Sequence, residues 1–126
     1  MPVVLWVAAG GALGSALRYG VNVGAGRLFG MDFPWATLIV NVVGSFAMGA
    51  LIALTASRWN AATETRAFLT TGILGGFTTF SAFSLDFAAL VERNANGLAA
   101  VYAVGSVVLS LVAVFAGLAL MRSVAA

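Results

Sequence analysis

The stretch Thr70-Thr-Gly-Ile-Leu-Gly-Gly-Phe-Thr-Thr-Phe-Ser-Ala-Phe-Ser84 decides how the chain is read. It is apolar enough for a membrane, yet it holds adjacent glycines, paired threonines and serines. Glycine disfavours a helix interior by about 1 kcal/mol relative to alanine. Threonine hydroxyls compete for backbone carbonyls. The pattern predicts a helix broken at Gly75 to Thr79. A break frees carbonyls in a place without water to receive them. Two outcomes stay open: a glycine kink packed by a neighbouring helix, or freed carbonyls that hold a cation.

Outward from this stretch, the charges are sparse and spaced. Of 126 residues, 62% are hydrophobic and 8% charged, and the mean hydropathy is +1.07. A soluble domain carries about 25% charged residues, so lipid is the solvent that fits. Apolar stretches separate Asp32 from Arg58, Arg66 from Asp86 and Arg93 from Arg122, and an uncharged run from Met1 to Leu17 ends at Arg18. A crossing needs roughly 20 apolar residues. We expect span 1 at Val3 to Gly24, span 2 at Trp35 to Ser57, span 3 at Glu64 to Glu92 and span 4 at Gly97 to Met121. Span 1 meets the length only if Arg18 snorkels toward the interface. No basic residue precedes its apolar run, which favours a retained span over a signal peptide. The expectation is an all-α integral membrane protein, with one four-helix domain over residues 1–126.

The composition also excludes functions. There is no cysteine and no histidine, which removes disulfides, thiolate nucleophiles and imidazole bases. An enzyme is therefore not expected. The net charge of +2 comes from scattered arginines, unlike the clustered footprint of a nucleic-acid binder.

Polar groups inside the spans each need a reason. Asn41 either glues helices together or donates its amide N–H to a permeating anion. Tyr102, Ser106 and Ser110 follow i, i+4, i+8 spacing and form a hydroxyl stripe. That stripe serves an anion or an interhelical contact. Phe80 and Phe83 share a helix face, and the positive edge of an aromatic ring suits a small anion. Small residues repeat at four-residue spacing as Gly10/Gly14, Gly20/Gly24 and Ser45/Gly49, a device for close helix approach. With both termini cytoplasmic, Arg58, Arg66 and Arg122 would lie inside, and Arg18, Arg27 and Arg93 outside or near it. This nearly cancels the positive-inside bias. The chain is then either weakly oriented or inserted both ways and paired antiparallel.

The segments Trp35-Ala-Thr-Leu-Ile-Val-Asn-Val-Val-Gly-Ser-Phe46 and Gly72-Ile-Leu-Gly-Gly-Phe-Thr-Thr-Phe-Ser-Ala-Phe-Ser84 closely resemble the signature segments of the Fluc (CrcB) fluoride channels. Gly10-Gly-Ala-Leu-Gly-Ser-Ala-Leu-Arg18 looks like their first-helix motif. The resemblance covers all the spans in order. It implies an antiparallel dual-topology homodimer in the plasma (inner) membrane, with two fluoride pores and a central structural Na⁺. By position it implies Asn41 as the pore asparagine and Phe80 and Phe83 as pore-lining rings. Ser106, Ser110 and Tyr102 would form a polar track, and Arg18 would be a vestibule arginine. The carbonyls of Gly75 and Thr78 would hold Na⁺. Two positions depart from the family pattern: Ala82 stands where Thr is common, and Ala36 where Gly is common. The rival functions are a dual-topology small-molecule exporter, which wants a titratable carboxylate deep in a span, and a non-transporting membrane scaffold.

Overall fold

The computed structural model describes residues 2–57 and 60–125, and Arg58 of the topology argument lies outside them. Helix α1 runs Val3–Phe29 and α2 runs Trp35–Ser57. The third span is assembled from pieces: α3 (Thr63–Ala67), a π-helical segment Phe68–Leu74, α4 (Gly75–Phe77) and α5 (Ser81–Glu92). Helix α6 closes the chain at Asn96–Ala125. Among the described residues, four helical stretches are long and apolar enough to cross a membrane. The chain is a multi-pass membrane protein.

Span 1 is longer than expected. Gly20 and Gly24 have nothing within 4 Å of a Cβ position, and the helix continues through both. It stops at Gly30, whose φ of 80° is the left-handed conformation that glycine adopts without cost. Arg27 in the last turn suits the negative end of the helix dipole. The turn after α5 is closed by Asn94 at φ 62°. The Ala95 N–H donates to the Leu90 carbonyl at 2.9 Å and the Asn94 N–H to Val91 at 3.0 Å. This is the paired capping that ends many helices. The Arg93 guanidinium donates to the Asp32 carbonyl, tying this turn to the loop before α2.

The glycines of the third span serve packing, and this moves the break. Gly75 has helical φ −64° and ψ −37°. The chain leaves the helix only at Thr78, with φ −86° and ψ 158°. The interruption therefore covers Thr78 to Phe80 rather than starting at Gly75. Gly72 and Gly76 press on α1: a Cβ on Gly72 would lie 2.9 Å from Gly10 Cα, and one on Gly76 would lie 2.7 Å from the Gly11 carbonyl. Close approach outweighs the modest helix penalty of glycine. Helices α2 and α6 cross in the same manner. A Cβ on Gly49 would sit 3.0 Å from Leu118 N, and one on Gly117 would sit 2.8 Å from Ala50 N.

The π segment was not foreseen. The Gly75 N–H reaches back to the Thr70 carbonyl, one residue beyond α spacing. The Thr70 hydroxyl donates to the Arg66 carbonyl at 2.7 Å and competes there for the ladder. Substituting Gly76→Val should separate α1 from the third span and destabilise the fold by about 1–3 kcal/mol. Gly20→Val should leave thermal unfolding in detergent close to the parent's, and differential scanning measurements of both variants check this.

Candidate functional site

The broken third span faces α2 and α6 across an open groove of about 520 Å³. Its lining includes Asn41, Ser45, Gly75, Thr78, Thr79, Phe80, Phe83, Ser106 and Ser110. The structure thus brings together the groups expected from α2, the break and α6. None of the described residues that line it is charged.

Asn41 clasps the break. Its amide Nδ2 donates to the Thr79 carbonyl at 2.9 Å, and the Thr79 N–H donates to Asn41 Oδ1 at 2.8 Å. A side-chain amide has two N–H donors, so one remains after this pairing. Of the two roles left open in the sequence, the structure shows the joining of helices, and one N–H stays outside that pairing. In a continuous helix the Thr79 N–H would close on the Gly75 carbonyl, and Asn41 diverts it. The Ala82 N–H, four residues after Thr78, donates to Thr79 Oγ1 at 3.1 Å. Thr79 so caps the second half-helix, and Phe80, already helical at φ −92° and ψ −32°, begins it. The carbonyls of Gly75 and Thr78 are both left without their i+4 donors.

On α6, Ser106 is 6% exposed, and its Oγ has no hydrogen-bond partner among the described residues. Buried hydroxyls are rarely left unpaired. Ser110 lies a turn further along the same groove. Phe80 is 77% exposed and packs against Phe83 with ring centroids 5.5 Å apart.

Tyr102 does not join this row. Residues four apart drift about 40° around a helix at each step, so Tyr102 is turned away from the groove that Ser110 lines. It is 1% exposed, and its hydroxyl donates to Asp86 Oδ2 at 3.0 Å. Thr37 donates to the same oxygen at 2.7 Å. The Tyr102 ring lies 5.1 Å from Phe83 and meets Phe33 edge-on at 5.5 Å. Tyr102 thus supports Phe83 from behind. In the sequence Asp86 figures only as a charge that bounds an apolar stretch, and its tie to Thr37 and Tyr102 spans three helices that no local spacing connects.

Arg18 also lies off the groove. Its Nε donates to the Gly76 carbonyl at 3.1 Å, at the C-terminal end of the first half-helix, where positive charge is favoured. It lines a small cavity of about 30 Å³ with Asn22, Thr37 and Thr79. Ala36 and Ala82, the two departures noted in the sequence, border this same cavity.

The fold and site define a class: a four-span membrane protein whose third span is interrupted beside a neutral polar groove. The family described as CrcB-like protein, Camphor Resistance (CrcB), matches residues 5–118, and the chain belongs to it. The chain is 57% identical over 126 residues, all of both chains, to a protein of Rhodospirillum centenum named fluoride-specific ion channel FluC. It is 60% identical to a protein of that name from Agrobacterium fabrum, over 93% of this chain and 94% of that one. A FluC 2 protein of Nitrobacter hamburgensis is 54% identical over 94% of this chain and 95% of its own length.

Substituting Asn41→Ala should leave the Thr79 N–H and carbonyl unpaired, at about 1–3 kcal/mol. We expect a larger loss of thermal stability in detergent than for Ser110→Ala. Hydrogen exchange should be faster at the Thr79 amide and little changed at the Gly49 amide.

Proposed function

We propose that the chain is a subunit of a fluoride-selective channel that passively exports fluoride from the cytoplasm across the bacterial inner membrane. The observation that carries this is the neutral groove, in which the buried Ser106 hydroxyl has no partner among the described residues. Relatives that match over nearly their whole length and bear the name fluoride-specific ion channel support the same reading. Fluoride is small and strongly hydrated, so a path for it must replace water with donors. Conduction also needs sites that are favourable but weak. Ser106, Ser110, the remaining N–H of Asn41 and the ring edges of Phe80 and Phe83 meet both needs without a fixed charge. Tyr102 acts through Phe83, and Arg18 belongs to the vestibule side of the break.

A single groove is open along one side, and an exposed Phe80 borders it. A second copy inserted antiparallel would close it and give two pores per homodimer. The near-balance of arginines across the membrane fits such dual insertion. The Gly75 and Thr78 carbonyls suit a central Na⁺: both lack their i+4 donors, and hard cations prefer neutral or anionic oxygen ligands. Na⁺ there would neutralise the partial charge of the carbonyls and fix the break. The exporter reading is weaker, because Asp86 already accepts hydrogen bonds from Thr37 and Tyr102.

Efflux of fluoride from liposomes, followed with a fluoride electrode, tests the pore. Phe80→Ile and Phe83→Ile should still fold and should cut efflux at least severalfold, because isoleucine keeps bulk and loses the ring edge. Asn41→Asp should be worse, since a carboxylate accepts only and repels the anion. Parent-like efflux in all three variants would place the path elsewhere. The antiparallel dimer has its own check. A single cysteine introduced at Asn60 should be labelled by an impermeant maleimide from both faces of the membrane, and labelling from one face alone would contradict it.

A further inference from the structure

The groove does not end at the break. Along α2 its lining steps through Asn41, Ser45 and Met48. The same stripe, at three- and four-residue intervals, continues to Ile52 and Thr55, which line a second open section of about 450 Å³. The facing wall of that section is Thr63, Arg66 and Thr70. The two sections adjoin across the π segment, where a Cβ on Gly75 would lie 3.6 Å from the Thr70 carbonyl. Thr63 and Ala56 are the ends of their apolar spans, so this section lies where the groove meets the membrane surface. Arg66 is exposed, and among the described residues it is the one charged side chain lining either section.

Two of the three threonine hydroxyls lining this section, those of Thr55 and Thr70, are already engaged. Thr55 donates to the Ile52 carbonyl at 3.1 Å and Thr70 to the Arg66 carbonyl at 2.7 Å. These two turn lone pairs, not protons, toward the space and so contribute no donor to an anion-binding cage. What remains among the described lining residues is the Thr63 hydroxyl and the field of one guanidinium, which is always charged. We propose that Arg66 collects the anion at the outer end of the groove, raising its local concentration by its field without holding it. This rests on the groove being the anion path. Past the π segment none of the described lining residues is charged, so no fixed charge sits beside Ser106 to hold the ion there. A collecting charge at the mouth with neutral donors inside avoids a tight site on the path.

Electrostatic collection has a signature that packing lacks. The Debye length is about 30 Å at 0.01 M salt and about 3 Å at 1 M. A unit charge felt at roughly 7 Å in water changes local anion concentration about threefold. Fluoride efflux should be measured from phosphatidylcholine liposomes, which carry no net surface charge, at both salt concentrations. Arg66→Gln should lose about threefold at low salt and match the parent at high salt, and Arg66→Lys should follow the parent at both. An equal loss at both salts, or no loss at low salt, overturns the proposal while leaving the fluoride path intact. A parent that passes no fluoride overturns both.

Discussion

The pairing of the Asn41 amide with the Thr79 backbone, at 2.9 and 2.8 Å, is the constraint on which the site depends. A helix interrupted inside lipid exposes backbone groups that cost several kcal/mol each if left alone. Asn41 satisfies both groups of Thr79 at once, as an adjacent strand would. Thr79 then uses its own hydroxyl to cap the half-helix that follows, and Arg18 covers the Gly76 carbonyl from the other side. Three helices meet at this point, and only the Thr79 cap is local in sequence; the Asn41–Thr79 pairing and the Arg18–Gly76 contact are not. The price of the break is spread over α1, α2 and α5.

The small residues make those contacts reachable. Gly72 and Gly76 bring the first half of the third span against Gly10 and Gly11, which sets the depth at which Arg18 reaches Gly76. Gly44 lies against the Thr78 side chain, one turn from Asn41 on α2. Gly49 and Gly117 lock α2 to α6 and so carry Ser106 and Ser110 to the groove. Without backbone-to-backbone approach, the asparagine would not span the gap to Thr79, and the serines would face a different neighbour.

Much of this was legible in the sequence, for reasons that can be stated. The four crossings follow from charge spacing alone, because lipid excludes charge, and the bounds of α2 fell where Trp35 and Ser57 put them. The interruption was foreseen but set too early. Helix propensity treats Gly75-Gly76 as a weakness, whereas here the small side is what α1 needs, and a helix penalty of about 1 kcal/mol yields to that contact. Tyr102 was grouped with Ser106 and Ser110 on spacing, which ignores the drift of a 3.6-residue helix. The Gly20/Gly24 pair has no partner within reach in the chain, since a four-residue repeat marks a capacity to pack and not a neighbour. The clasp by Asn41 and the Thr37–Asp86–Tyr102 junction join residues far apart in sequence, and no local pattern encodes them.

These contacts build a groove lined by neutral polar groups, and in the function proposed above it is a path in which no single group grips an ion. A path of this kind would favour the smallest, most basic halide, which gains most from short hydrogen bonds. The most direct measurement compares fluoride and chloride release from the same proteoliposomes under equal gradients, with valinomycin carrying the counter-current. A fluoride-selective groove empties the vesicles of fluoride while chloride stays inside. Release of chloride at a comparable rate, or retention of both ions by a folded protein, would contradict it.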